Sequence, residues 1–232
     1  MTEERDYVSV VYNEKRTPKT DYPPKLASYL FTRFGIKKGA KLLEVGCGRG
    51  DFLEAFQQLG ADVYGLDRSE TAAANLAQLQ VKKTDVSIES FPFEDNTFDI
   101  VYHKSLIEHL YSPDNLMRES YRVIRRGGRV IILTPDWPSL MKVFYEDFTH
   151  SRPYDTTSLR DVLQVYGFSE ITTERFYQLP VIWRQPWLKG ICKVLQIVLT
   201  TPNARWLTKI TGIKFFRWTV ELMVLGTGVK TA

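Results

Sequence analysis

The chain has 232 residues, 44% of them apolar, enough to fill the core of one large α/β domain, which excludes a disordered or fibrous protein. Its 31 basic and 27 acidic residues leave a net charge of +4, too small an excess to imply a nucleic-acid partner by itself. Cys47 and Cys192 stand far apart in segments of different character, which argues against a disulfide framework or a cysteine-rich zinc site and fits a reducing, cytoplasmic setting.

The first residues, Met1-Thr2-Glu3-Glu4-Arg5-Asp6, lack the apolar core of a secretory signal, and no apolar run reaches the roughly 18 residues of a spanning helix. Residues 1–25, with the tyrosine- and proline-bearing stretch Tyr12 to Pro24, read as a linker or lid ahead of the first helix. From residue 41 to 135, short apolar runs alternate with amphipathic stretches, the pattern of strands and helices around a parallel sheet. The predicted strands run from Lys41 to Gly46, Asp62 to Asp67, Val81 to Asp85, Phe98 to His103 and Arg129 to Pro135. Phe52, Leu53, Phe56 and Leu59 share one helical face, which Gly60 closes. Ser112-Pro113-Asp114 opens another helix, and Arg125-Arg126-Gly127-Gly128 ends it.

Further along, Ser158 with Asp161 reads as a capping box for a helix closing at Gly167, and a strand follows from Ser169 to Tyr177. Val181 to Arg217 then carries seven basic residues and no Asp or Glu, together with Trp183, Trp187, Trp206, Phe215 and Phe216. The rest of the chain sums to −3. Within this segment Leu188, Ile191, Cys192, Leu195 and Leu199 recur at helical spacing beside Lys189, Lys193 and Gln196, predicting an amphipathic helix from Pro186 to Leu199. Such a helix suits a membrane interface, where the protein would sit peripherally, or a cap packed on the sheet. The run Glu221 to Gly226 supplies a seventh strand. The expectation is a single α/β domain over 1–232, Rossmann-like and doubly wound, with 181–217 as a basic, aromatic, helical insertion before the last strand.

The densest chemistry lies at Glu44-Val45-Gly46-Cys47-Gly48-Arg49-Gly50, where a strand runs through a glycine turn into a helix. Glycines let a backbone turn sharply and approach a ligand with no Cβ in the way, although tight turns also use them for steric reasons alone. Asp67, at the end of the next strand, lies at the right distance to accept both hydroxyls of a ribose. A nicotinamide dinucleotide site also pairs glycines with an acid, but the spacing here is not G-x-G-x-x-G, and Glu44 would repel a pyrophosphate while suiting a cationic ligand.

With these residues the sequence resembles the class I S-adenosylmethionine-dependent methyltransferases of small-molecule type, over roughly Leu26 to Gly167 plus the final strand. The resemblance implies an antiparallel last strand and S-adenosylmethionine as cofactor. The family's (E/D)xGxGxG motif stands here as Glu44, Gly46, Gly48 and Gly50, with Cys47 inside it. It implies that this loop lies along the amino-acid part of the cofactor, with Glu44 toward the ammonium. Asp67 would hold the ribose with Arg68 beside the adenine, and Asp85 with Val86 would meet the adenine amino group. Phe91-Pro92-Phe93-Glu94-Asp95-Asn96-Thr97-Phe98-Asp99-Ile100-Val101 resembles the stretch that leads into the family's fourth strand.

Methyl transfer from a sulfonium is an in-line displacement, so an enzyme gains by positioning the acceptor and, for a hydroxyl, by removing its proton. Loops after the fourth and fifth strands meet acceptors in an open α/β sheet, and they carry the three histidines of the chain, His103, His109 and His150. His103 is expected beside the methyl position. Ser105-Leu106-Ile107-Glu108-His109 is similar to the EVxEH segment of ubiquinone-pathway and RNA 2′-O-methyltransferases, in which acids and histidine can hold a metal. Ser105 replaces the first acid, and two ligands are too few for a hard cation, so no metal is expected. His150 lies in a loop similar to the DxTHxRP loops of bacterial members and is the leading general base, with Glu108 and His109 as the other catalytic candidates.

The Asn/Asp-Pro-Pro-Tyr/Phe motif of base-amino methylation and the Pro-Cys nucleophile of cytosine methylation are both missing, which argues against a nucleic-acid substrate. The sequence thus points to methyl transfer onto an oxygen of a small-molecule or lipid-linked acceptor. Its rivals are a non-catalytic S-adenosylmethionine-binding module, acting as a partner or membrane-recruited subunit, and a nicotinamide oxidoreductase.

Overall fold

A computed structural model describes residues 18–231. Seven strands, β1 (Lys41–Val45), β2 (Asp62–Asp67), β3 (Val81–Lys83), β4 (Phe98–Lys104), β5 (Ile124–Pro135), β6 (Ser169–Phe176) and β7 (Met223–Val229), form one sheet in the order 3-2-1-4-5-7-6. β1 to β5 pair in parallel, and β7 lies antiparallel between β5 and β6. The sheet is therefore mostly parallel with an antiparallel last strand, as the sequence implied, and this inserted strand departs from the all-parallel dinucleotide-binding order.

Both faces are covered. Alternation along β1 sends Leu42 toward a cluster with Leu26, Leu30, Leu53 and Phe56, and Leu43 toward a second cluster with Leu116, Val130, Ile132 and Leu159. The helices carrying these residues are α1 (Tyr22–Arg33), α2 (Asp51–Gln58), α4 (Asp114–Val123) and α6 (Thr156–Val165), and two short helices, α3 (Glu70–Asn75) and α5 (Trp137–Leu140), follow β2 and β5. The basic segment is not one helix. It forms α7 (Pro180–Arg184), α8 (Leu188–Val198), α9 (Thr201–Thr211) and α10 (Phe215–Val220), laid over a smaller cluster with Ile182, Cys192 and Leu222. Among the described residues no helix is long and apolar enough to cross a membrane.

Several predicted boundaries move. α1 starts at Tyr22, inside the expected lid or linker over 1–25, and residues 1–17 of that segment lie outside the described residues. Tyr22 is buried with its ring 5.0 Å from Trp218 and 6.1 Å from Trp183, so α1 and the basic segment are packed together. The capping box sits three residues earlier than expected: Asp155 caps α6, and Ser158 answers from the third helical position. β3 ends at Lys83, which leaves Asp85 in the turn that follows, and β7 starts two residues later than predicted.

The largest displacement is at Arg125 to Gly128, predicted as a helix end and found inside β5. Ile124 pairs with Phe98 and Arg129 with Ile100, so β5 bulges across these four residues. Gly127 takes φ +76°, and a Cβ on Gly128 would lie 2.9 Å from the carbonyl oxygens of both Arg125 and Asp99. Gly128→Ala is expected to destabilise the fold by about 1–3 kcal/mol, read as a lower urea midpoint at unchanged slope.

Candidate functional site at the sheet switch point

The strand order reverses between β1 and β4, so the crevice above their carboxyl ends is where an open α/β sheet places a ligand. On the β1 side stands the glycine loop. Gly46, Gly48 and Gly50 all take positive φ, at +75°, +53° and +78°. Packing accounts for two of them, since a Cβ would press on Leu106 at Gly46 and on Leu76 at Gly50. At Gly48 it would meet nothing within 4 Å, so that face of the loop is open. The loop is pinned to β2: Gly46 and Cys47 donate backbone N–H to the Leu66 carbonyl, and Gly48 N–H donates to Asp67 Oδ2 at 2.7 Å.

Asp67 Oδ1 accepts from Ser69 N–H at 2.8 Å, so each carboxylate oxygen carries one backbone bond. A carboxylate has about four acceptor sites, and two remain for a pair of hydroxyls. Arg68 beside it is exposed. The Thr84 N–H donates to the Asp67 carbonyl and brings Asp85 into the same crevice edge, where its Oδ1 takes both the amide and the hydroxyl of Ser87. Val86 is buried in the second core cluster.

Glu44 decides what kind of ligand suits this crevice. Its carboxyl is buried, the Leu53 amide bonds to it, and its Oε2 has no hydrogen-bond partner. Burial, then the nearby Asp67 and Asp51, push it well above the usual carboxylate range. An unpaired buried carboxylate oxygen is a costly feature that a cationic ligand would relieve. The residues present therefore fit S-adenosylmethionine: Glu44 for its ammonium, the open backbone at Gly48, and Asp67 for its ribose.

On the β4 side, side-chain alternation corrects one expectation. Ile100 and Tyr102 belong to the first core cluster and Val101 to the second, so His103 points with Val101 and Lys104 to the other face. His103 is fully enclosed, both ring nitrogens are without hydrogen bonds, and burial lowers it to about 3. It does not line the crevice. Lys104 does, in a cavity of about 470 Å³ that continues from the ends of β4 and β5 to the basic helices. Burial lowers the Lys104 ammonium from its ordinary value against the pull of Glu108 and Glu44.

Two loops meet over this cavity. The Glu108 carbonyl, in a 3-10 turn at Ile107–His109 after β4, accepts backbone N–H bonds from Ser151 at 2.8 Å and Arg152 at 3.0 Å. That staple sets the His109 and His150 rings 4.8 Å apart although 40 residues separate them in sequence. His150 Nδ1 lies 2.7 Å from the Phe144 carbonyl, which can only accept, so Nδ1 carries a proton and the neutral tautomer has its lone pair on Nε2. Thr149 donates its hydroxyl to Asp147 Oδ1 and thus accepts from His109 Nδ1 at 2.8 Å, which leaves His109 Nε2 basic as well. Burial, then the His150 ring, lower His109 and keep it neutral. Glu108 Oε2 accepts from Thr134, Oε1 has no partner, and burial raises the carboxyl to about 7.

Glu108, His109 and His150 also place one ligand atom each within 4.8 Å of one another, a group able to hold a metal ion. The sequence argument against a metal counted two ligands, and the staple supplies a third. Sequence reasoning missed the rest of the cavity wall. Arg205 of α9 and Arg217, preceding Thr219 in α10, clasp the buried carboxyl of Glu221, and Arg205 also bonds Glu146. The acid-free stretch ending just before Glu221 was the available signal.

Comparison with known proteins shows what this scaffold is similar to. Residues 43–132 match the family model described as a methyltransferase domain. The matched stretch runs from β1 into β5 and contains the glycine loop and Asp67. The ubiquinone biosynthesis O-methyltransferase of Pseudomonas fluorescens is 34% identical over 124 residues, 50% of this chain and 53% of that protein. The chain thus spans about half the length of the curated relatives it first matches. In fold, the domain is similar to a methyltransferase solved with its activator from Haloferax volcanii, with a TM-score of 0.71 at 16% identity, covering 98% of this chain and 99% of that one. It is also similar to phosphoethanolamine N-methyltransferase 2 of Haemonchus contortus in complex with S-adenosyl-L-methionine, with a TM-score of 0.67 at 17% identity, covering 98% and 60%.

Proposed function

We propose that the whole chain is one methyltransferase unit that methylates an oxygen of a small or lipid-linked acceptor bound in the cavity beside His150. The observation that carries this reading is the His150 ring, fixed through Nδ1 on the Phe144 carbonyl and lining the cavity with a basic Nε2. When bound, S-adenosylmethionine supplies an electrophilic methyl group on its sulfonium. Glu44, Gly46, Cys47, Gly48, Gly50, Asp67, Arg68, Asp85 and Val86 form the cofactor side, and His103 supports it only from within the core. The chain's own chemistry is proton removal. His150 Nε2 takes the acceptor's hydroxyl proton, and Asp147 Oδ2, 4.0 Å away, favours the imidazolium that results. His109 and Glu108 pack the base in place and are its nearest substitutes.

One observation favours a second reading. The unpartnered Glu108 Oε1, with His109 and His150, would hold a divalent cation, whose chemistry would be to polarise the acceptor oxygen. The test is transfer of labelled methyl from S-adenosylmethionine into aqueous and lipid extracts of the source cell, with and without a chelator. The base reading expects transfer that withstands chelation. Loss on chelation with recovery on added cation would favour the metal reading, and cofactor binding with no transfer to any extract would favour a non-catalytic module.

A further inference from the structure

α8 has two apolar sides. Its inner side, led by the buried Cys192, packs on the small cluster with Ile182 and Leu222. Its outer side presents Trp187, Ile191, Val194 and Val198, which fall within about 60° of arc at 100° per residue. Ile197 lies next to them, and these side chains are 47% to 83% exposed. After a two-residue link, α9 exposes Trp206 and Ile210, one turn apart, and Ile213 follows. Single exposed apolar residues are ordinary on protein surfaces, but eight large ones on two consecutive helices and their flanking residues are not.

The charges in the same segment identify an occupant. Arg184, Lys189, Lys193 and Lys209 have no ion pair among the described residues, and the whole stretch 181–217 holds no acid. Lys193 flanks the apolar stripe beside Ile197, where a long side chain can keep its ammonium in a headgroup layer while its stem lies on apolar surface. A tryptophan at the start of the α8 stripe and another on α9, with a cationic rim, suit the boundary of an anionic bilayer. α9 contributes to both features, since Arg205 lines the cavity and the adjacent Trp206 is exposed.

We infer that the outer faces of α8 and α9 dock the protein on an anionic lipid bilayer, with the mouth of the acceptor cavity next to the membrane. The link to a lipid-borne acceptor rests on the proposed function, but docking does not require turnover. Flotation with phosphatidylcholine vesicles, and with mixed phosphatidylcholine–phosphatidylglycerol vesicles at low salt, tests docking alone. Wild-type protein is expected to float with the anionic vesicles, with a blue shift of tryptophan fluorescence. Val194→Glu with Ile197→Glu, both at exposed positions, should lower the bound fraction at least about tenfold, and Lys189→Gln with Lys193→Gln should weaken binding in a salt-dependent way. Wild-type protein that ignores both vesicles, or a double glutamate variant that floats as well as wild type, overturns the inference. So does a concentration-dependent dimer, seen by light scattering, that the glutamate pair dissolves without any vesicle binding. A protein that floats yet transfers no methyl group would leave docking standing and remove the catalytic reading.

Discussion

His150→Ala is expected to lower kcat for methyl transfer about 10²- to 10⁴-fold, the range for loss of a positioned general base. Cofactor affinity should hardly change, because the ring stands in the acceptor cavity and not at the glycine loop. The loss should also exceed that from His109→Ala. His150 is held on two sides, with Nδ1 on the Phe144 carbonyl and its ring 4.4 Å from the Phe144 ring, whereas His109 lies behind it against Thr149. Equal losses at Glu108→Gln, His109→Ala and His150→Ala would instead mark three ligands of one cation. Steady-state kinetics on the three variants, paired with calorimetric titration of S-adenosylhomocysteine, separates these outcomes.

The second large effect has opposite signs in two measurements. Glu44→Gln should weaken S-adenosylmethionine binding by about 10- to 100-fold, the loss of one hydrogen bond to a charged group. The same substitution should raise the melting temperature of the cofactor-free protein at pH 8. Burial, then Asp67 and Asp51, lift the Glu44 carboxyl above its unfolded-chain value, so the folded state holds the proton more tightly than the unfolded chain does. The stability contributed by the protonated form is complete below the unfolded value and is lost as pH rises through the folded one. Glutamine removes this penalty, and the gap between the two proteins should close as pH falls below the carboxylate range. Scanning calorimetry from pH 4 to pH 8 reads it directly. A residue serving the fold alone would leave cofactor affinity untouched.

The cofactor half of the site was legible because it is local. Glu44, the three glycines and Asp67 lie within 24 residues, and one strand, one turn and the next strand bring them together. The other half is assembled by two backbone N–H hydrogen bonds onto the Glu108 carbonyl, which no spacing rule reveals, so Glu108, His109 and His150 stood in the sequence as separate candidates. His103 misled through strand parity: one residue further on, Lys104 faces the cavity and His103 faces the core. Gly127-Gly128 looked like a helix end because the left-handed glycine that stops a helix also serves a bulge. In the basic segment, helical periodicity identified apolar positions but not which of them a neighbour covers. Ile191 was grouped with the inward residues and is turned outward.

The placement of β7 has a consequence for how the chain assembles during synthesis. β6 leaves the ribosome before β7, yet among the described residues its one strand partner is β7, which stands between it and the parallel half of the sheet. While residues 223–229 are still to come, β5 presents a bare edge and β6 has nothing to pair with, the exposed condition in which nascent chains aggregate. Chaperone dependence of the protein should therefore be concentrated in the interval between emergence of Phe176 and emergence of Val229, and the basic helices are the stretch of chain that sets how long that interval lasts.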